Sequence, residues 1–311
     1  MSAPHPPAKI VSQPVGVFCG LSAYGIWGFI ALFFKLLTDR GVAPPPLLAH
    51  RVIWSTVFCG ALVLLLGATA EARRVLRDGK MLCALALSSA MVAANWLAFI
   101  YSIHTKQLGQ SALGYYINPL LSVALAALVL RERLRTSEWI SLALASIGAA
   151  VIVRAKGELP WIAVTVAGTF ALYGLLRKQI AVSAVVGLAV ETALLAPLAL
   201  AYLATHSEGK SHDAPTYALL ALSGAVTAIP LLLFAQAARS LRLSTIGFLQ
   251  YVAPTCQLLV AVLIMGERVD RAQWTGFAFI WAALLLFTVS AAYRRHRATD
   301  PTPTVAAPPA E

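Results

Sequence analysis

Charge is scarce in this 311-residue chain: 12% of its residues are Asp, Glu, Lys or Arg, and 59% are apolar. Soluble domains carry about 25% charged residues, so an ordinary water-soluble fold is excluded. Cysteine is scarce too. The four present, Cys19, Cys59, Cys83 and Cys256, lie far apart inside apolar stretches, which excludes a disulfide framework or a zinc or iron–sulfur ligand set and leaves small packing residues. Catalytic motifs are missing: there is no Gly-x-Ser-x-Gly turn, no Gly-x-x-x-x-Gly-Lys phosphate loop and no His-Glu-x-x-His pair. The chain is therefore expected not to be an enzyme or a nucleotide-driven pump, and to need no cofactor or metal.

Long hydrophobic runs are what the chain has instead, with a mean hydropathy of +0.77. A helix needs roughly 20 apolar residues to cross a hydrocarbon core. Ten segments qualify, near 14–38, 47–67, 80–103, 109–130, 137–153, 159–178, 185–205, 216–237, 243–265 and 272–293. The expected fold is an all-α integral membrane protein. Short connections leave no room for a soluble domain, and the Pro-rich polar ends, 1–13 and 294–311, are expected to be disordered tails.

The chain also repeats itself. Tyr116 to Trp139 and Tyr251 to Trp274 align without a gap at an offset of 135 residues, with 7 of 24 positions identical, among them Pro119/Pro254, Glu132/Glu267 and Trp139/Trp274. Matching leucines and alanines are cheap in apolar segments, but a proline, a Glu-Arg pair and a tryptophan in register are not. Two five-helix repeats, 14–153 and 154–293, follow. Because five is odd, the second must enter the bilayer inverted, as in many secondary transporters.

Of the 24 Lys and Arg residues, 15 fall on the ends and loops of one side, 7 on the other, and Lys35 and Arg51 at or within spans. The positive-inside rule then places both termini in the cytoplasm of a multi-pass inner-membrane protein. The net charge of +11 is dispersed through these loops, so nucleic acid is not an expected partner and anionic lipid is.

Polar groups inside spans carry the functional expectations, since each must find a partner or face water. Glu191 is the one carboxylate well inside a span. It is either a proton-coupling or cation site, or half of a buried pair, with Arg51 or His50 as candidate partners. Arg51 and Lys35 could equally snorkel to headgroups. Asn95, Trp96, Tyr115, Tyr116 and Asn118, with Gln250 and Tyr251 from the second copy, are candidates for a solute cavity; an interfacial aromatic belt is the plain alternative for the tyrosines. Pro119 and Pro254 are expected to bend spans four and nine at matching places. Glu132 and Glu267 close those spans, as gates, as caps of the helices that follow, or as partners of loop arginines.

Five stretches then carry a resemblance: His50-Arg-Val-Ile-Trp-Ser55, Asn95-Trp-Leu, Leu113-Gly-Tyr-Tyr-Ile-Asn-Pro119, Tyr173-Gly-Leu-Leu-Arg-Lys178 and Arg242-Leu-Ser-Thr-Ile-Gly-Phe-Leu-Gln-Tyr251. From about Pro14 to Tyr293 the chain resembles the RarD-type proteins of the EamA branch of the drug/metabolite transporter superfamily. The resemblance implies a ten-helix carrier whose central cavity alternates its opening, and brings a label of chloramphenicol sensitivity. Arg131-Glu132 departs from the commoner Gly-Glu at the end of span four. The leading expectation is a gradient-driven exporter of a small amphipathic metabolite, amino acid-like, or a drug. The alternative is a non-transporting subunit or sensor acting through a partner protein. Solute, coupling ion and oligomeric state are not legible.

Overall fold

Backbone amides in hydrocarbon have no water to bond, so apolar segments close their hydrogen bonds within themselves, as helices. The computed structural model describes residues 13–129, 134–156, 159–206, 212–240 and 249–299. They form α1 (Gln13–Asp39), α2 (Pro44–Leu65), α3 (Thr69–Arg77), α4 (Gly79–His104), α5 (Leu108–Val129) and α6 (Thr136–Lys156). The order continues with α7 (Trp161–Gln179), α8 (Ala184–His206), α9 (Ala214–Ser240), α10 (Val252–Leu259) and α11 (Arg271–Thr299). A π-helical turn, Val260–Ile264, extends α10. There is no strand among the described residues. Among the described residues seven helices, α1, α2, α4, α6, α8, α9 and α11, are long and apolar enough to cross a bilayer, so this is an all-α multi-pass membrane protein.

Local chemistry sets several helix starts. Prolines open α2, where a missing amide costs nothing, and Asp78 caps α4 by accepting from the Met81 amide at 3.1 Å. Asp213 does the same for α9, and its hydrogen bonds from Thr216 hold its carboxyl below the ordinary carboxylate range.

Three expectations change here. The connection between spans two and three is not a plain loop: it folds as α3, which buries Val75 and turns its arginines outward. Its pattern is too short to read as a span, yet Glu71 accepts from the Ser183 amide at 2.7 Å and its hydroxyl at 2.8 Å, tying α3 to the start of α8. Second, Lys35 pairs with Asp39 one turn on, so its charge is met within α1. Third, α11 continues to Thr299, beyond the 293 expected for the last span.

Helix pairing runs mainly between the first and second parts of the chain. α1 packs on α9 and α10, α2 on α8 and α9, α4 on α7 and α8, α5 on α7 and α10, and α6 on α11. One core cluster joins Phe34, Leu47, Ile100 and Leu220 of α1, α2, α4 and α9; another joins Leu120, Ile152, Phe277 and Ile280 of α5, α6 and α11.

Glu267 closes one such cross-connection. Gly266, at φ +68°, occupies the left-handed region that favours glycine, and turns the chain out of the π-helical segment. The Glu267 carboxylate then accepts the amides of Leu108 at 2.5 Å and Gly109 at 2.8 Å. It caps α5, while at the start of α11 Asp270 accepts the Gln273 amide at 2.7 Å. Glu267→Ala should lower stability by about 1–2 kcal/mol, as the loss of a charged cap does. Chemical or thermal unfolding of the solubilised protein checks this, and an unchanged midpoint would rule out the cap as a stabilising contact. Glu132, its counterpart, lies outside the described residues.

Candidate functional site

Glu191 sits on α8 with no solvent exposure. Its partners come from two neighbouring helices: the Ser88 hydroxyl of α4 donates at 2.5 Å and the Tyr173 hydroxyl of α7 at 3.2 Å. The Arg177 guanidinium, one turn after Tyr173 on the same face, stands 3.7 Å away. Gly187 makes this possible, since a Cβ there would lie 2.1 Å from the Arg177 Nη1. Neither Arg51 nor His50 is the partner. Sequence reading left Arg177 in the loop after span six, whereas it belongs to the last turn of α7 and its side chain is 16% exposed.

Arg51 is 5% exposed and does not snorkel. Its Nε donates to the Thr227 hydroxyl of α9 at 3.0 Å, and the guanidinium carbon lies 4.1 Å from the Trp96 ring centre and 4.9 Å from that of Phe34. Such stacking on aromatic faces is a good environment for a desolvated guanidinium. The His50 ring, half-buried, turns instead to Tyr217, 6.3 Å away.

Asn95 lies between these two ends, on α4, 1% exposed. It donates to the Val166 carbonyl at 3.0 Å and to Thr169 at 3.3 Å, and accepts from the Tyr115 hydroxyl at 3.0 Å. The amide therefore pins α4, α5 and α7 together. Rings continue the line: Phe34 to Phe99 at 6.4 Å, Phe99 to Tyr115 at 6.2 Å, Tyr115 to Phe170 at 5.8 Å, and Phe170 to Tyr173 at 6.1 Å. A tract of rings and polar groups thus runs from Arg51 to Glu191, buried at both ends and exposed at Phe170.

The structure separates Tyr116 from Tyr115. Tyr116 turns to α10 and α11, with its hydroxyl 2.7 Å from that of Thr255 and its ring 6.1 Å from both Phe277 and Trp281. Tyr251 packs against the same cluster, and Gln250 is half-buried in the turn before α10. The Asn118 Oδ1 is buried without a hydrogen-bond partner. Pro119 lies inside α5, and Pro254 lies in the first turn of α10, three to four residues after the turn at Gln250–Tyr251. Among the described residues no three His, Cys, Asp or Glu side chains are placed to hold a metal.

The EamA-like transporter family model matches this chain twice, over residues 14–154 and 161–289. The chain belongs to the EamA-like transporter family. Within that family, an uncharacterized transporter of Pseudomonas aeruginosa is 40% identical over 281 residues, covering 89% of this chain and 94% of the relative. Protein RarD of Salmonella typhi is 41% identical over 287 residues, covering 91% and 97%. A solved crystal structure with 19% identity shares the fold at a TM-score of 0.59, covering 91% of this chain and 99% of the other.

In this EamA protein Glu191 and Arg51 contact three side chains that sequence reading missed: Ser88, Arg177 and Thr227. Ser88 and Thr227 are short hydroxyls in apolar runs and carry no signal alone. Arg177 did carry one, being four residues after Tyr173 at a helix end. Gly187→Ala should displace the flexible Arg177 guanidinium from Glu191 while leaving the helices in place. The check is solute transport against folded yield: reduced transport with wild-type yield is expected, and unchanged transport would show that the ion pair is dispensable.

Proposed function

We propose that this chain is a secondary-active carrier that exports a small amphipathic metabolite or drug by alternating access. The observation that carries this reading is the tract of rings and polar groups from Arg51 to Glu191, assembled from α1, α2, α4 and α5 on one side of the chain and α7, α8 and α9 on the other. A polar line through apolar helices is what a solute path requires.

Two inverted five-helix halves, 14–153 and 154–293, would frame it. The double match to the family model and the internal repeat support this. So does the helix pairing: exchanging α1, α2, α4, α5 and α6 for α7, α8, α9, α10 and α11 leaves the set of pairs named above unchanged. On this reading both termini face the cytoplasm. Asn95, Trp96 and Tyr115 contact solute, and Tyr116, Asn118, Gln250 and Tyr251 join them when the halves re-pack. Glu191 with Arg177 couples movement to the proton gradient, while Arg51 and His50 lie toward the opposite opening.

Purified protein in liposomes, offered labelled amino acids, small metabolites and chloramphenicol with and without a pH gradient, tests the proposal. Saturable movement that follows the gradient is expected. No movement across the panel would sink the carrier and leave the partner-dependent subunit.

A further inference from the structure

We infer that Arg51 and Ser55 form an anion subsite that binds a carboxylate of the transported solute. This rests on the carrier reading and narrows its solute to a class. Arg51 lies in a span, is 5% exposed, and has a guanidinium that stays charged at any physiological pH. A buried cation needs a counter-charge. The ion pairs among the described residues are Lys35 with Asp39 and Arg177 with Glu191, so the fully buried carboxylate of Glu191 is paired with a different arginine.

Arg51 uses only part of its donor set. Nε is bound to Thr227, yet Nη1 is buried with no hydrogen-bond partner. One turn along the same face of α2, the Ser55 hydroxyl is fully buried and also has none. Two orphaned donors at i and i+4 are the recognition pattern for a group that accepts twice and carries negative charge. The guanidinium carbon lies over the Trp96 and Phe34 rings, neither of which supplies a negative charge. A carboxylate accepts from both donors, and the neighbouring rings of the tract suit an apolar remainder of the solute.

A chloride ion would satisfy the same charge, and the experiment separates the two. The unfolding temperature of the purified full-length protein is measured in chloride-free buffer with acetate, benzoate, 3-phenylpropionate and N-acetylphenylalanine, each against its primary amide, and with sodium chloride at matched ionic strength. At least one carboxylate should raise the midpoint by about 2–4 °C where its amide does not. Arg51→Gln should abolish that difference and Ser55→Ala should reduce it. If Arg51→Gln yields no folded protein, Ser55→Ala decides by the same readout. The inference is overturned if no carboxylate differs from its amide, if the difference survives the substitutions intact, or if chloride alone gives the full shift and carboxylates add nothing. Binding requires no transport, so liposomes that carry nothing would sink the carrier and leave this subsite standing.

Discussion

Protein carrying Glu191→Gln is expected to reach the membrane in near wild-type amounts and to move no solute in response to an imposed pH gradient. Glutamine keeps the size of the side chain and an oxygen that accepts from Ser88 or Tyr173, so the contact between α4, α7 and α8 survives. Arg177 loses its counter-charge, but at 16% exposure near the end of α7 its long stem can carry the guanidinium toward the interface. What the amide cannot do is bind or release a proton. Exchange of labelled solute without a gradient should persist at a reduced rate, which separates lost coupling from lost binding. Gradient-driven transport by the variant at the wild-type rate would remove Glu191 from the coupling step.

Gly224→Val should fail differently, by preventing the folded state. A Cβ at Gly224 would lie 2.3 Å from the Trp54 carbonyl oxygen, 2.4 Å from its carbon and 2.9 Å from the Ser55 amide nitrogen. These are backbone atoms of α2, so no side-chain rotation relieves the contact, and the two helices must part. Overpacking of this kind costs about 1–3 kcal/mol and sometimes more. The milder Gly224→Ala should lower the unfolding midpoint, and valine should leave little monodisperse protein on size exclusion. Thr227 stands one turn further on α9, so the same displacement would pull its hydroxyl from Arg51. Wild-type stability of the valine variant would mean that α2 and α9 pack less closely than described.

Much of the architecture was legible because hydrophobic run length is a strong signal in membrane proteins. Each long helix begins and ends within a few residues of an apolar segment, and the all-α class follows from composition. What a pattern cannot carry is partner choice. Glu191 was recognisable as costly, yet Arg177 was hidden by its position at a helix end, and Arg51, nearer to expectation, went to Trp96 and Thr227. Tyr115 and Tyr116 were read as neighbours lining one space, but adjacent residues on a helix point about 100° apart, and they serve different clusters. The matching prolines take different places in their helices: Pro119 lies inside α5, and Pro254 follows the turn at Gln250–Tyr251.

The cap on α5 also fixes an order of events at the ribosome. Leu108 and Gly109 are made and inserted long before Glu267, which follows Leu108 by 159 residues. Arg51 waits for Thr227, and until the last quarter of the chain emerges the start of α5 waits uncapped and α6 waits for α11. The two stretches matched by the family model, 14–154 and 161–289, are thus not two independent folding units. A ribosome that stops after the first would release helices whose chief neighbours have not been synthesised, a ready substrate for membrane quality control.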